Sequence, residues 1–402
     1  MQALDLQEAR RRIIAEAVPP RESEAVSTAT AKGRVLAADV ASPVDLPPFP
    51  SSAMDGYAYA DAAAADKSLR VVGASLAGHP YPGALNAGEC IRITTGAEVP
   101  RSADTVVIQE NCERDGDNLT LTERPTAGAN IRAQGHDVTT GALVARAGQR
   151  LNAFDIAWLA AVGVESVSVV VRPKVALFST VDELKEPGAP LQAGEIYDAN
   201  RLALKSLMAN LPVALTDLGI LPDDRDALEA ALGQAATEHD LLLTSGGVSV
   251  GDADYVKEII ERLGHIGLWR LNLKPGKPLA FGRAGQALFL GLPGNPVSTI
   301  VTYLLIAQPL LLKLAGTEAE PPFSFKARLA AELRHNPGRE EYQRGILSRG
   351  ADGYQVSVSG DQSSNRLATF SGANCLIRIR KEDGHLAAGT NVEVIPLKEL
   401  ID

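Results

Sequence analysis

The chain has little cysteine: three residues in 402, Cys90, Cys112 and Cys375. They are widely separated, odd in number and form no C-x-x-C pair. That excludes a disulfide framework or a structural zinc cluster and leaves buried, reduced thiols as the expectation. There is no basic excess either. Lys and Arg total 39 against 49 Asp and Glu, a formal net charge of −10. This argues against a nucleic-acid protein that works by neutralising phosphates. It also requires any anionic ligand to find a local site that overcomes a repulsive overall field. The six histidines form no metal-spaced cluster, and neither a P-loop nor a Ser-His-Asp signal is present. No stretch approaches about 18 uncharged apolar residues, so no membrane span is expected. The N-terminal Met-Gln-Ala-Leu-Asp-Leu-Gln-Glu-Ala-Arg lacks the apolar core of a signal peptide. A reducing cytoplasm is the expected compartment.

What is there is ordinary for a globular chain: 45% hydrophobic and 22% charged residues, with length for two to four domains at about 100–200 residues each. Leu4 to Ala17 reads as a helix. Arg34 to Val40 reads as a short strand, followed by the rigid Pro43, Pro47, Pro48 and Pro50 stretch. From Leu69 to about Leu143, short β-like runs alternate with Gly and Pro turns, the pattern of a compact β domain. Asn152 to Ala161 returns to helix, with Phe154, Ile156, Trp158 and Leu159 as its apolar bulk. The β segment therefore reads as an insertion. From Lys174 to about Gly316, strands such as Val175-Ala-Leu-Phe and Leu241-Leu-Leu-Thr alternate with helices, and Leu204, Leu207, Met208 and Leu211 mark one helical face. This rhythm implies parallel βαβ units, with ligands beyond the carboxyl ends of the strands. From Phe325 onward, β runs punctuated by glycine suggest a small barrel.

Four segments of the α/β region carry chemistry. In Leu241-Leu-Leu-Thr-Ser-Gly-Gly-Val-Ser-Val-Gly-Asp, a buried strand runs into Ser245, Gly246, Gly247, Ser249 and Gly251 before a helix. Glycines let backbone N–H groups approach an anion and hydroxyls add donors. Asp252 and Asp254 either cap the helix or hold a cation. The bland reading is a capped glycine turn. In Leu273-Lys-Pro-Gly-Lys-Pro, Lys274 and Lys277 flank a stiff turn and form a compact cationic pocket for an oxyanion, or else a solvated hairpin. In Gly291-Leu-Pro-Gly-Asn-Pro, Asn295 reads as an N-cap and Pro296 as the first helical residue. That accounts for the motif structurally, and an oxyanion-facing helix start accounts for it equally well. In Phe178-Ser-Thr-Val-Asp-Glu-Leu, Asp182 and Glu183 stand where carboxylates after a strand bind a metal or a ribose hydroxyl. Asp198 and Asn200 read first as helix caps and second as ligands.

The β region adds Pro48-Phe-Pro-Ser-Ser-Ala-Met-Asp-Gly-Tyr-Ala, Ile93-Thr-Thr-Gly-Ala-Glu-Val-Pro and Ala129-Asn-Ile-Arg-Ala-Gln-Gly-His-Asp-Val. Asp55-Gly56 fits a tight turn as well as a site. Taken together, in order, Ser52-Ala-Met-Asp-Gly-Tyr-Ala, Thr94-Thr-Gly-Ala, Asn130-Ile-Arg, Asp182-Glu-Leu, Ser245-Gly-Gly-Val-Ser-Val-Gly-Asp, Lys274-Pro-Gly-Lys-Pro, Gly291-Leu-Pro-Gly-Asn-Pro and Thr369-Phe-Ser-Gly-Ala-Asn-Cys-Leu resemble the molybdopterin molybdenumtransferases, the family that includes the E domain of gephyrin.

The resemblance implies an elongated multidomain chain of α/β plus β class. Residues 1–45 and 144–172 would form a helical and linker domain, 46–143 an inserted β domain, 173–318 a molybdopterin-binding parallel α/β domain, and 319–402 a C-terminal β-barrel. It implies a homodimer, with the active site between the α/β domain of one subunit and the β domain of the other, and other molybdenum-cofactor biosynthesis proteins as further partners. The implied reaction converts adenylylated molybdopterin and molybdate to molybdenum cofactor, releases AMP and uses Mg2+. Carried onto this sequence, Asp55, Asp137, Lys274 and Lys277 are the catalytic candidates. Thr95, Ser245, Gly246, Gly247, Ser249, Asp252, Pro293, Asn295 and Pro296 are the ligand-binding candidates, and Asp137, Glu183 and Asp252 the Mg2+ candidates. Three positions depart from the family pattern. Pro50-Ser51 replaces Asp-Asn, His136 replaces Glu before Asp137, and Val181 replaces Gly before Asp182. These departures raise an alternative, a catalytically impaired paralogue acting as a cofactor-binding carrier or scaffold.

Overall fold

The computed structural model describes residues 3–63, 68–222, 224–246, 255–318, 320–351 and 353–401. It divides into two compact units, one of Met1–Glu24, Gly33–Ala37 and Val169–Asp402, the other of Ala25–Lys32 and Ala38–Ser168.

The smaller unit is built on a six-stranded sheet. Its strands are β1 (Gly56–Tyr59), β2 (Ser68–Ser75), β3 (Glu89–Ile93), β4 (Thr105–Ile108), β5 (Cys112–Asp115) and β6 (Asn118–Leu121), in the order β4-β1-β3-β2-β6-β5. Only β2 and β3 run parallel. The period of two sorts side chains onto opposite faces. Tyr57, Tyr59, Leu69, Val107 and Leu119 pack on one face, and Ala58, Ile91, Ile93 and Val106 on the other. Gly56 is obligatory at its place, because a Cβ there would stand 1.8 Å from the Val107 carbonyl oxygen. Helix Ala153–Ala161 starts on a capping box. The Asn152 side chain accepts from Phe154 N–H and Asp155 N–H, and Asp155 accepts from Asn152 N–H. Of its expected apolar bulk, Leu159 is buried, whereas Phe154 is 85% exposed.

The larger unit contains a six-stranded sheet of β7 (Lys174–Thr180), β8 (Ala214–Leu221), β9 (Leu241–Ser245), β10 (Gly264–Arg270), β11 (Pro278–Ala284) and β12 (Ala287–Leu292). The order is β8-β7-β9-β12-β11-β10. The first four strands are parallel, as the alternation of strands and helices implies. The expected parallel units are extended by β11 and β10, which are antiparallel and make the sheet mixed. The cause is local: the two-residue Gly285-Gln286 connection is too short for a crossover and folds β11 onto β12 as a hairpin. Helices α1 (Ala199–Met208), α2 (Arg225–Glu238), α3 (Tyr255–Leu263) and α4 (Pro296–Leu314) cover both faces. Leu177, Leu243 and Leu290 meet α1, α4 and the N-terminal helix Leu6–Ala15 on one side. Phe178, Leu242 and Phe289 meet α2 and α3 on the other. The expected strand over Arg34–Val40 reduces to isolated bridges at Val35 and Leu36 and a two-residue strand, Val40–Ala41.

Helix α4 spans Pro296–Leu314. It is 19 residues long and apolar enough to cross a membrane by length and composition, but it is mostly buried inside the fold. Its Tyr303, Leu304, Ile306, Leu310 and Leu311 belong to the main core, so it reads as a core helix.

The C-terminal part closes into a barrel of β13 (Phe325–Leu329), β14 (Glu340–Gly350), β15 (Gly353–Val358), β16 (Cys375–Ile379) and β17 (Asn391–Pro396). Pairing runs β14-β15-β13-β17-β16 and back to β14, so no strand keeps two free edges. Residues 273–274 pair in parallel with β14 as an added strand.

Candidate functional site

A cavity of about 720 Å³ opens beyond the carboxyl ends of β7, β9 and β12, the place where parallel α/β sheets bind ligands. Glu183, Ser245, Gly246, Pro293, Asn295 and Pro296 all line it. Three further candidates, Gly247, Ser249 and Asp252, lie outside the described residues.

The floor is tied together by polar side chains. Ser245 ends β9 and is buried. Its hydroxyl accepts from Asn200 Nδ2 at 2.9 Å and lies 3.3 Å from the Thr299 hydroxyl. Asn200 Nδ2 also donates to the Gly294 carbonyl at 2.7 Å. Asn200 is therefore not a helix cap but a clamp between the loops after β9 and β12. Asp198 does cap α1, accepting from Arg201 N–H at 3.1 Å. Asn295 occupies the N-cap of α4 without a side-chain capping bond, with Pro296 as the first helical residue. Its amide is left for another partner at a helix start, where the dipole favours an anion. Ser179, Thr180 and Thr244 end β7 and β9 with buried hydroxyls that have no partner among the described residues. A polar ligand reaching them would remove that cost.

One wall, residues 181–198, is held by Arg201. Its guanidinium bonds Asp198 Oδ2 at 3.0 Å, Asp217 at 2.6 and 2.7 Å, and Glu186. Burial would push the Asp217 carboxyl up, but the bonds from Arg201, Gly219 N–H and Lys205 outweigh it and hold it below its ordinary range. Val181 lines the cavity on this wall, beside Glu183. Asn200 reads from the sequence first as a cap and second as a ligand, and nothing there singles out Arg201. Both sit on the first turns of a helix, where polar residues look solvated until the neighbouring loops are known.

The two lysines do not line the cavity; Pro278, next to Lys277, does. Gly276 between them takes φ +109°, and a Cβ there would come within 2.5 Å of Thr302 Cγ2 on α4. The turn is thus seated on the helix that starts at the cavity. Lys274 pairs with Glu341 at 3.0 Å, whereas Lys277 is exposed and has no ion pair among the described residues. Asn365, from the loop that follows β15, joins the lining. That loop is fixed by Val297 N–H, which donates to the Ser364 carbonyl.

In the smaller unit, the three motif segments are stitched to one another. Ser52 N–H donates to Ala97 O, Gly96 N–H to Ser52 O and Ala53 N–H to Asn130 O, at 2.8–2.9 Å. The arrangement brings Thr95 to Asp55, whose Oδ1 accepts from Thr95 N–H at 2.7 Å and its hydroxyl at 2.9 Å. These bonds, with the charge of Arg92, hold the exposed Asp55 carboxyl below its ordinary range. Arg92 itself bonds Gly56 O and Gln109. Asp137 is anchored by its backbone to Leu46, and its exposed carboxylate has no partner among the described residues. The thiols are free, as expected. Cys90 and Cys375 are buried and Cys112 half-buried. Burial pushes Cys90 and Cys375 up to about 12 and Cys112 up to about 11, which makes them inert.

A mixed α/β sheet with a cavity at its strand ends and a closed C-terminal barrel define a multidomain protein with a ligand cavity at the sheet's carboxyl edge, and comparison with known proteins gives its family. Residues 4–163 match the model of the MoeA N-terminal region (domain I and II), 176–313 the "Probable molybdopterin binding domain" and 326–397 the MoeA C-terminal region (domain IV). The chain is 38% identical to the molybdopterin molybdenumtransferase of Haemophilus influenzae, over 99% of this chain and 100% of the relative. It is 36% identical to that of Nostoc sp., over 94% and 89%. A crystal structure of the molybdopterin biosynthesis moeA protein from Pyrococcus horikoshii OT3 superposes with TM-score 0.84 at 26% identity, covering 98% of this chain and 100% of that one. The chain belongs to the molybdopterin molybdenumtransferase family, enzymes of molybdenum cofactor biosynthesis.

Proposed function

We propose that the chain transfers molybdenum from molybdate to adenylylated molybdopterin, forming molybdenum cofactor and releasing AMP. The observation that carries this reading is the cavity at the strand ends, with polar side chains on its floor and the lysine turn seated on the same helix, α4. Asn295, Gly246 and the Gly/Ser loop would bind the phosphate side of the pterin, with Pro293 and Pro296 shaping the rim. Thr95 would bind it from the β region, orienting Asp55. Lys274 and Lys277 would gather molybdate against the acidic overall charge. In the transfer, the phosphorus–oxygen bond to AMP breaks. AMP leaves with the bonding pair, a water oxygen forms the new bond to phosphorus, and molybdate gives up oxide, released as water, as the pterin takes the molybdenum.

Among the described residues, no three His, Cys, Asp or Glu side chains are grouped to hold a metal. The chemistry of single donors does fit Mg2+. Glu183 presents a hard oxygen on the cavity wall with no side-chain partner among the described residues, and Asp137 and Asp252 are the other carboxylates we assign to it. When bound, the ion offsets negative charge on the pyrophosphate-like link. The enzyme works in the cytoplasm as a homodimer whose second copy supplies Asp55 and Asp137, and hands its product to other proteins of cofactor biosynthesis.

The alternative, a carrier or scaffold with impaired insertion, draws on Val181, a β-branched residue on the cavity wall, together with the missing acids at Pro50 and His136. AMP release from adenylylated molybdopterin, measured with and without molybdate, separates the two. Molybdate-stimulated release supports the enzyme, and tight pterin binding with no release supports the carrier.

A further inference from the structure

Lys274 is not a free cation. Its ammonium lies 3.0 Å from Oε1 of Glu341. That carboxylate comes from the barrel, because residues 273–274 pair in register with the start of β14 and set Lys274 opposite Glu341. Glu341 is 2% exposed. A carboxylate so buried needs partners on both oxygens. The second is His335, whose Nδ1 stands 2.7 Å from Oε2. His335 is equally buried. Its Nε2 has no partner among the described residues, so Nδ1 is the ring atom through which it acts. Its backbone N–H donates to His385 Nδ1 at 3.3 Å. The chain from solvent inward is therefore Lys274, Glu341, His335.

A lysine on a free four-carbon stem loses much rotamer entropy when it must hold one place. Here a buried, oriented carboxylate does the holding before any ligand arrives, which is how second partners prepare a binding group. Lys277, three positions on, has no such tether among the described residues and is exposed. The turn thus presents two cations of different kinds, one tethered to a buried carboxylate and one exposed with no ion pair among the described residues.

We propose that Glu341 is a positioning residue for oxyanion binding, fixing Lys274 through an ion pair whose carboxylate His335 orients, while Lys277 reaches out to the anion. The barrel thereby contributes to the site through Lys274. This rests on the assignment of the lysine turn to molybdate made above.

The test is a double-mutant cycle in the full-length protein, reading the molybdate concentration that half-saturates AMP release, with pterin binding followed separately. Glu341→Gln should raise that concentration by about fivefold and leave pterin affinity unchanged. In a Lys274→Ala background the same change should add nothing, because Glu341 acts only through Lys274. Lys274→Ala strands a buried carboxylate and should lower the melting temperature, and adding Glu341→Gln should restore it. If Lys274→Ala leaves half-saturation unmoved, the lysine assignment itself falls. If Lys274→Ala raises it while Glu341→Gln leaves it unmoved or lowers it, only the Glu341 role falls. If Glu341→Gln does not fold, Glu341→Asp withdraws the carboxylate by one methylene and serves in the same cycle. It should raise half-saturation alone and have no effect beside Lys274→Ala, and any other result overturns the role.

Discussion

Replacing Arg201 by leucine is the sharpest test of how the cavity wall is held. The Arg201 side chain is 4% exposed and its partner Asp198 1% exposed. Asp217, at 18%, keeps Lys205 and Gly219 N–H when Arg201 is lost, and Glu186, at 55%, is free to turn to water. The cost therefore falls on Asp198, left buried with only the backbone N–H of residue 201. Breaking a buried pair from one side costs about 3–5 kcal/mol. The surviving backbone bond puts the expectation near the lower end, about 3 kcal/mol. Glu186→Gln, which removes only a half-exposed partner, should cost less than about 1 kcal/mol. Urea unfolding measures both. Adding Asp198→Asn to Arg201→Leu should recover at least about 1 kcal/mol, since the neutral amide no longer buries a charge. The wall of residues 181–198 should loosen in Arg201→Leu and weaken pterin binding. An Arg201→Leu protein within about 1 kcal/mol of wild type, or no recovery in the double variant, would refute the reasoning.

Thr95→Val removes the hydroxyl bond to Asp55, so the Asp55 carboxyl, held low in the native protein, should titrate closer to its ordinary value near about 3.9. A carboxylate lowered on folding gives stability that is present above its unfolded pKa and is lost as pH falls through its folded pKa. Thr95→Val should therefore flatten that acid-side loss, and an unmoved Asp55 titration by NMR would count against the pairing. Gly276→Ala forces a side chain into positive φ and against Thr302. It should cost about 1–3 kcal/mol and raise the molybdate requirement, and a neutral effect in both assays would mean the turn is not seated on α4. Pro50→Asp, His136→Glu and Val181→Gly together should raise AMP release and lower the Mg2+ requirement, since each restored acid adds a hard oxygen or its support. The idea fails if wild type already equals a relative carrying all three residues at equal Mg2+.

Much of the architecture was legible because strong periodicity and punctuation coincided. Leu241–Ser245 reads as a buried strand from composition alone, and Asn152 with Asp155 announces a helix start. The antiparallel edge was missed because β10 and β11 carry Gly267 and Gly282 within them and break the usual strand signature. Helix α4 was legible from Pro296 as its first residue, although Ser, Thr and Gln interrupt its apolar run. Thr299 and Thr302 are satisfied by the Asn295 and Ser298 carbonyls one turn back, whereas the buried Oε1 of Gln308 has no partner among the described residues. For the site, residues at strand ends were readable, since fold logic puts ligands there. Arg201 and Glu341 were not, because each acts through a partner distant in sequence, Asp217 and Lys274, and Asn200 read first as a cap because its partner Gly294 is equally distant. Only tertiary placement turns a helix-surface arginine or a strand glutamate into part of a site.

The central claim is that this cavity and its lysine turn carry out molybdate-dependent release of AMP. The most direct measurement is AMP released from adenylylated molybdopterin by wild type and by Lys277→Ala across a molybdate series at saturating Mg2+. The account predicts molybdate-stimulated release by wild type and a clear rise in half-saturating molybdate in the variant, with pterin affinity retained. Release that ignores molybdate in wild type, or a variant with an unchanged molybdate curve, would contradict it.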